Sequence, residues 1–313
     1  MALPETMAAL RVHDFGEAPQ LDRVPLPVPG AGEVLVRLEA TVIGHHDRGV
    51  AAGTLPAGQP LPFVPGLEGA GRVAGVGADV ELPLDLRVRV FGGGLGAVRP
   101  GTWAEYVVAP AAAVTPVPDG MPPALAAACG SVANTAWAAT FDLGALGPDE
   151  SLGVTGATGA VASLVLQLAG RDAGRRVVAW TRAPERVPAG VERLRDDEDP
   201  DEPVDVLIDT VGGPLLPRRL RSVRSGGRAV LVGYTAGERV CFELPALLNG
   251  DVALLPLNMR RRRVPPDVHA RLLDDVAGGR LAVATDVVGA SELDDAIARL
   301  DAGTAAGRVV LAW

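Results

Sequence analysis

The chain has 313 residues, 48% of them hydrophobic and 4% aromatic, and a formal net charge of −9. That length and apolar content can bury more than one core, so two domains are expected, and the acidic balance with few stacking aromatics argues against a nucleic-acid partner. Two cysteines give no disulfide framework or metal lobe, no apolar stretch reaches the ~20 residues of a membrane span, and without a signal-like start a cytoplasmic protein with no membrane partner is expected.

Up to about residue 120 the chain reads as short strands separated by Gly and Pro: Ala8–His13, Glu33–Ala40, Gly71–Val76, Arg87–Phe91 and Ala104–Val108. Such a pattern suits a compact β-rich domain. Prolines 116, 118, 122 and 123 punctuate its end, and Ala124–Leu143 reads as an alanine-rich helix. The segment that follows is the most informative in the chain. Ser151-Leu-Gly-Val-Thr-Gly156-Ala-Thr-Gly159-Ala-Val-Ala162 reads as a strand ending in a glycine turn that opens directly into a helix. Val161, Leu164, Val165 and Leu168 then recur at helical spacing, and Arg176–Trp180 supplies the second strand that a βαβ unit requires. Glycines let the backbone approach a pyrophosphate, and the amide-rich, positive end of the helix faces the anion. Gly156, Gly159, Ala160 and Val161 are therefore candidate coenzyme contacts. A strand–turn–helix without a ligand is the competing reading.

Val204–Asp209 and Gly227–Gly233 read as further apolar strands, and Leu215–Val223 as a helix between them. Continuous apolar strands alternating with helices fit a parallel sheet covered on both faces. The glycine-bearing ends of these strands, Gly212 and Gly233, should cluster at the carboxyl edge, where doubly wound sheets bind ligands. An edge segment Val252–Leu257, helices near Val268–Ala277 and Glu292–Asp301, and a last strand Arg308–Leu311 complete the chain. The run Arg260–Arg263 reads as a solvated loop or helix end. One interval is too short. Arg182 to Asp205, with its acid run Asp196–Glu202, lacks room for helix, strand and helix, so at least one helix should be missing and the acid run exposed.

Coenzyme choice is decided where the second strand ends. An NAD site places a carboxylate there for the ribose 2′-hydroxyl, whereas this strand runs into Trp180-Thr181-Arg182, with Arg186 one turn on. An arginine fork suits a 2′-phosphate, so NADPH is expected, with Thr181, Arg182 and Arg186 as contacts. A solvated loop arginine is the alternative for Arg182.

Gly32-Glu-Val-Leu-Val-Arg37, Pro65-Gly-Leu-Glu-Gly-Ala-Gly-Arg-Val-Ala-Gly-Val-Gly77, the turn Gly156–Ala162, Asp209-Thr-Val-Gly-Gly213 and Gly307-Arg-Val-Val-Leu311 occur in this order. Together they resemble the medium-chain dehydrogenase/reductase superfamily, and within it the zinc-free quinone oxidoreductase and enoyl reductase branch. The resemblance implies an α/β fold with a GroES-like catalytic domain, residues 1–124 and 264–313, around a Rossmann domain of doubly wound parallel sheet, residues 125–263. It also implies a homodimer joined at sheet edges near Val252–Leu257.

Zinc-dependent relatives draw ligands from a Cys-x-x-Asp and a Gly-His-Glu segment, because a catalytic zinc needs three protein donors and an open position. Here those places read Gly44-His-His-Asp47 and Gly66-Leu-Glu68. Two donors are replaced by groups that cannot ligate, so no metal is expected. Without a Lewis acid, hydrogen bonds must stabilise the developing charge, which suits hydride addition to a quinone or to the conjugated C=C of an α,β-unsaturated carbonyl. His46 stands where those relatives keep a relay hydroxyl and is the first choice as proton donor, while His45 stands where they contact the pyrophosphate. A loop histidine facing water is the other reading for each.

The resemblance further places Thr135 beside the nicotinamide, and Gly212, Gly233 and Tyr234 after strands whose ends line the coenzyme. It gives Arg308 either a coenzyme contact or a structural pairing with Asp47. The branch usually has Asn where Gly44 stands, and neither Tyr106 nor Tyr234 matches its usual donor tyrosine. The reading as a whole is a zinc-free NADPH-dependent reductase of a small-molecule quinone or enone. A non-redox nucleotide-binding protein on the same fold, acting as sensor, scaffold or cyclase, is the alternative.

Overall fold

The computed structural model describes residues 3–56, 58–171 and 174–313. Its chain divides into two compact units, one of residues 1–131, 276–278 and 283–313, the other of residues 132–275 and 279–282. The crossing points lie further along the chain than the expected 124 and 264.

The first unit begins with a hairpin of β1 (Thr6–Arg11) and β2 (Gln20–Pro25). The long strand β3 (Glu33–Ile43) leads into a seven-residue helix, α1 (His45–Ala51). Then come β4 (Glu68–Val76), β5 (Arg87–Phe91), β6 (Tyr106–Pro110), β7 (Val114–Pro116) and the helix α2 (Pro123–Trp137), whose residues from Val132 on belong to the second unit. Alternation along β3 and its partners sends Val34, Val36, Leu38, Val73, Val88 and Val90 into one core. A second core gathers Met7, Leu10, Ile43, Trp103, Ile297 and Leu311, and the Trp103 indole donates to the Val42 carbonyl at 2.9 Å.

In the second unit the strands are β8 (Leu152–Thr155), β9 (Val177–Trp180), β10 (Glu192–Leu194), β11 (Val204–Asp209), β12 (Val223–Leu231) and β13 (Ala253–Pro256). They form one sheet in the order β10-β9-β8-β11-β12-β13, parallel throughout. That is the doubly wound nucleotide-binding order. Helices α3 (Ala160–Ala169), α4 (Leu216–Leu220), α5 (Leu244–Gly250) and α6 (Pro266–Ala277) belong to this stretch of chain. The strands are apolar because both faces are covered, and Val178, Trp180, Val204, Leu207 and Ala229 pack in its core. The chain then returns to the first unit with β14 (Thr285–Val288), α7 (Leu293–Asp301) and β15 (Arg308–Ala312), which pairs with β3.

The short interval kept its strand and gave up both helices. Between β9 and β11 only a single turn, Pro184–Arg186, and the three-residue β10 remain. The acid run is largely exposed, as expected, yet it is tied down. Buried Arg219 stacks on the Trp180 ring at 4.7 Å and donates to the Glu198 carbonyl at 3.0 Å, and the Trp180 indole donates to the same carbonyl at 3.1 Å. A guanidinium over an indole thus anchors the loop where a helix would have packed.

Several elements differ from their sequence reading. The strand expected at Ala104–Val108 runs from Tyr106 to Pro110. The helix expected to reach Leu143 stays α-helical only to Trp137 and continues as a π-helical turn, Ala138–Leu143. The paired histidines, for which loop positions are the other reading, stand on the helix α1.

Candidate functional site

In the second unit, β8 ends at Thr155 and the turn Gly156–Gly159 delivers the chain into α3. Gly156 has φ of +62°, a left-handed value, and a β-carbon on it would stand 2.7 Å from Thr210 Oγ1. Only glycine fits there. Gly159 caps α3 with extended backbone, no side chain caps the helix, and no acidic residue occupies its first turn. Its leading amides are therefore directed outward without a resident anion. Ala160 and Val161 are half-buried in that first turn.

The turn is locked to the neighbouring strand by hydrogen bonds that the sequence reading missed. Thr155 Oγ1 donates to Asp209 Oδ1 at 2.6 Å and accepts from the Thr210 amide at 3.0 Å, and Thr210 Oγ1 donates to the Thr155 carbonyl at 2.8 Å. Asp209 Oδ2 accepts from the Gly212 amide at 2.8 Å. Burial pushes the Asp209 carboxyl above its ordinary range, against these hydrogen bonds. Gly212 also sits at φ of +62°, and a β-carbon on it would lie 2.8 Å from the Gly233 carbonyl. Gly212 and Gly233 are thus packed against each other at the carboxyl edge, and Tyr234, next in sequence, is exposed. Open amides, glycines at the strand ends and a fixed turn are a cradle that suits a dinucleotide.

At the end of β9, Thr181 is buried; its hydroxyl lies 3.3 Å from that of Thr158 and accepts from the Ala183 amide at 3.1 Å. Arg182 and Arg186 are exposed. Thr158 and Thr181 therefore join the glycine turn to the segment expected to set coenzyme choice. Thr135 is half-buried on α2, and its neighbour Asn134 lies 2.9 Å from the His269 ring of α6.

The first unit carries its own cluster. His45 and His46 occupy the first turn of α1, His45 exposed and His46 half-buried. Desolvation lowers the His45 pKa; Asp301 pulls it the other way, and Arg308 and Arg48 add to the drop. Asp47 is buried, its Oδ2 accepting from the Gly44 amide at 2.9 Å and its Oδ1 from the Leu67 amide at 2.9 Å. Burial raises its pKa to about 7, the Gly44 hydrogen bond opposing and the Glu68 charge assisting. Glu68 accepts from Ser131 Oγ at 2.7 Å and from Arg308, whose other nitrogen donates to Ser131 Oγ at 2.8 Å. Arg308 therefore pairs with Glu68, not with Asp47. Nothing in the sequence singled out Ser131, a lone hydroxyl in an alanine-rich helix.

A metal does not fit this cluster. The carboxylates are held by amide, hydroxyl and guanidinium donors, position 67 is Leu and position 44 Gly. Among the described residues no group of three or more His, Cys, Asp or Glu side chains is arranged to hold an ion.

Comparison with known proteins gives two family matches: the alcohol dehydrogenase GroES-like domain over residues 30–119 and the zinc-binding dehydrogenase model over residues 183–311. The chain is 30% identical to prostaglandin reductase-3 of Mus musculus over 75% of its own length and 66% of that protein's, so it spans about two thirds of that relative. It is 28% identical to the quinone oxidoreductase of Lama guanicoe, over 72% of this chain and 73% of that one. Among solved structures, an NAD-dependent alcohol dehydrogenase superposes with a TM-score of 0.88 at 26% identity, covering 98% of this chain and 100% of that chain.

Proposed function

The chain belongs to the medium-chain dehydrogenase/reductase superfamily, and from that premise we infer that it is a zinc-independent, NADPH-dependent reductase of quinones or of conjugated carbonyl compounds. The observation that carries the reading is the pairing of a glycine turn and bare helix end, fit for a dinucleotide, with a former metal position whose carboxylates are already satisfied. The similarity to a prostaglandin reductase and a quinone oxidoreductase supports reduction as the direction of the chemistry.

In this reading the α3 amides and the Gly156 turn hold the coenzyme diphosphate, Gly212 and Gly233 let its backbone-facing surface approach, and Thr181 with Arg182 and Arg186 takes the 2′-phosphate. The chemistry that NADPH would supply there is a hydride for the electrophilic carbon of the substrate. Reduction leaves negative charge on the substrate oxygen, and His46 is assigned the proton that neutralises it. Thr135 is assigned to the nicotinamide and His45 to the diphosphate. Arg308 is assigned to holding Glu68, the first residue of β4, and Ser131 of α2. Two copies are proposed to join along β13, an edge strand of the parallel sheet, whose outer side has no partner strand among the described residues.

The test is absorbance at the nicotinamide band with a panel of quinones and enones, for the wild type and His46→Ala. Oxidation of NADPH that falls steeply in the variant supports the assignment. Tight coenzyme binding without oxidation by any panel member favours a non-redox nucleotide-binding role.

A further inference from the structure

The arginine run at 260–263 has no part in the coenzyme cradle. It follows β13, and because β13 is parallel to β12, with Leu231 opposite Pro256, the run emerges at the same carboxyl edge as the glycine turn after β8. The Leu257 amide donates to the Leu231 carbonyl at 2.9 Å, which continues the pairing up to the turn. Asn258 then organises the run: its side-chain oxygen accepts from the Arg260 amide at 3.0 Å, and its carbonyl from the amides of Arg261 and Arg262 at 3.0 and 3.2 Å. Arg262 is fixed by an ion pair with Asp142 at 2.6 Å.

The other three guanidiniums are exposed, and among the described residues none has a carboxylate within ion-pair distance. Arg171, Arg176, Arg224, Arg228 and Arg299, by contrast, each meet a carboxylate. Arg261 and Arg262 line, with Pro256 and Asn258, a cavity of about 390 Å³. A carboxylate ligand would balance only one of three charges, whereas a phosphate ester or diphosphate balances two or three.

The strand order separates this cluster from the glycine turn. β8 and β13 are three strands apart, which at the usual spacing is roughly 14 Å across the sheet. One diphosphate cannot reach both. We propose that Arg260, Arg261 and Arg263 form an anion subsite that holds the substrate by a phosphate or diphosphate group of its own, so that the reducible carbonyl compound is a phosphate-bearing one. The assignment to the substrate rests on the reductase reading above; the existence of the anion site does not.

The experiment is calorimetric titration of the full chain with inorganic pyrophosphate, alone and with saturating NADP⁺, at low and at raised salt. The expected result is a site that survives addition of NADP⁺ and weakens about tenfold or more in Arg261→Gln/Arg263→Gln. It should be unchanged in Arg182→Gln and should weaken with salt. Arg260→Gln alone, checked for an unaltered melting temperature, should weaken it to a smaller degree. Pyrophosphate binding that the arginine variants leave untouched, or that NADP⁺ abolishes, overturns the proposal, as does no binding at all. If NADP⁺ itself fails to bind, the reductase reading falls, while the pyrophosphate titration still decides the anion site.

Discussion

Thr155 and Asp209 meet at 2.6 Å across the ends of two adjacent parallel strands, hydroxyl donating to carboxylate. Their contact sits beneath the glycine turn, and through the second carboxylate oxygen it also fixes the Gly212 amide. One buried acid therefore shapes both glycine turns at the carboxyl edge. Thr155→Val keeps the volume and removes the donor, which leaves a buried carboxylate oxygen short of a partner at a cost of about 1–3 kcal/mol. Denaturant unfolding should show that loss, and coenzyme affinity should fall with it. A variant as stable as wild type would show that the contact carries no weight.

How much of this was legible in the sequence depends on how local the signal is. The glycine turn, the helix after it and the apolar strands are written in neighbouring residues, and the sheet order follows from them. Short elements were not legible. β2, β7, β10 and β14 are made by their pairing partners more than by their own three to six residues. The helix α1 was hidden because its start is set by Asp47 reaching back to the Gly44 amide, and two histidines and a glycine carry little helical propensity. The partnership of Glu68 with Ser131 and Arg308 spans 63 and 240 positions, and no spacing rule reaches so far.

Asp47 gives a pH dependence of defined sign. Its folded pKa is about 7, raised by burial, against an ordinary value of 3.8. Between those values the folded chain keeps a proton that the unfolded chain has released, so stability is greatest at the acid end of the window. It falls as pH rises through the window and levels off above about 7. The slope approaches about 1.4 kcal/mol per pH unit for one proton. Asp47→Asn cannot ionise, and its stability should be flatter over this range when unfolding is followed by circular dichroism. An identical pH profile in the variant would contradict the assignment.

Glu68 and Arg308 form a pair whose side chains are 3% and 12% exposed. Removing one partner strands the other's charge in the interior, which costs about 3–5 kcal/mol. Glu68→Gln, which loses the charge and still offers an acceptor to Ser131, should therefore unfold at distinctly lower denaturant than the wild type. A midpoint equal to the wild type's would mean that the charge has no role. In the same preparations, metal analysis should find no stoichiometric zinc, and chelators should leave activity unchanged, because the donors that a metal would need are absent from positions 44 and 67.

Coenzyme preference should reside in Arg182. Thr181, immediately before it, is buried, and its hydroxyl accepts from the Ala183 amide, so the backbone that carries Arg182 is held on both sides. Arg182 itself is exposed, with no hydrogen bond or ion pair among the described residues. Its guanidinium is therefore available without breaking an existing contact, and no carboxylate stands at positions 181–183 to accept from a free ribose 2′-hydroxyl. Arg182→Gln should lower kcat/KM with NADPH about tenfold, the equivalent of about 1.4 kcal/mol, and leave NADH turnover nearly unchanged. Because the side chain is exposed, the melting temperature should not move. Equal losses with both coenzymes would locate the 2′-phosphate elsewhere, and Arg186, in the exposed turn that follows, is then the residue to replace next.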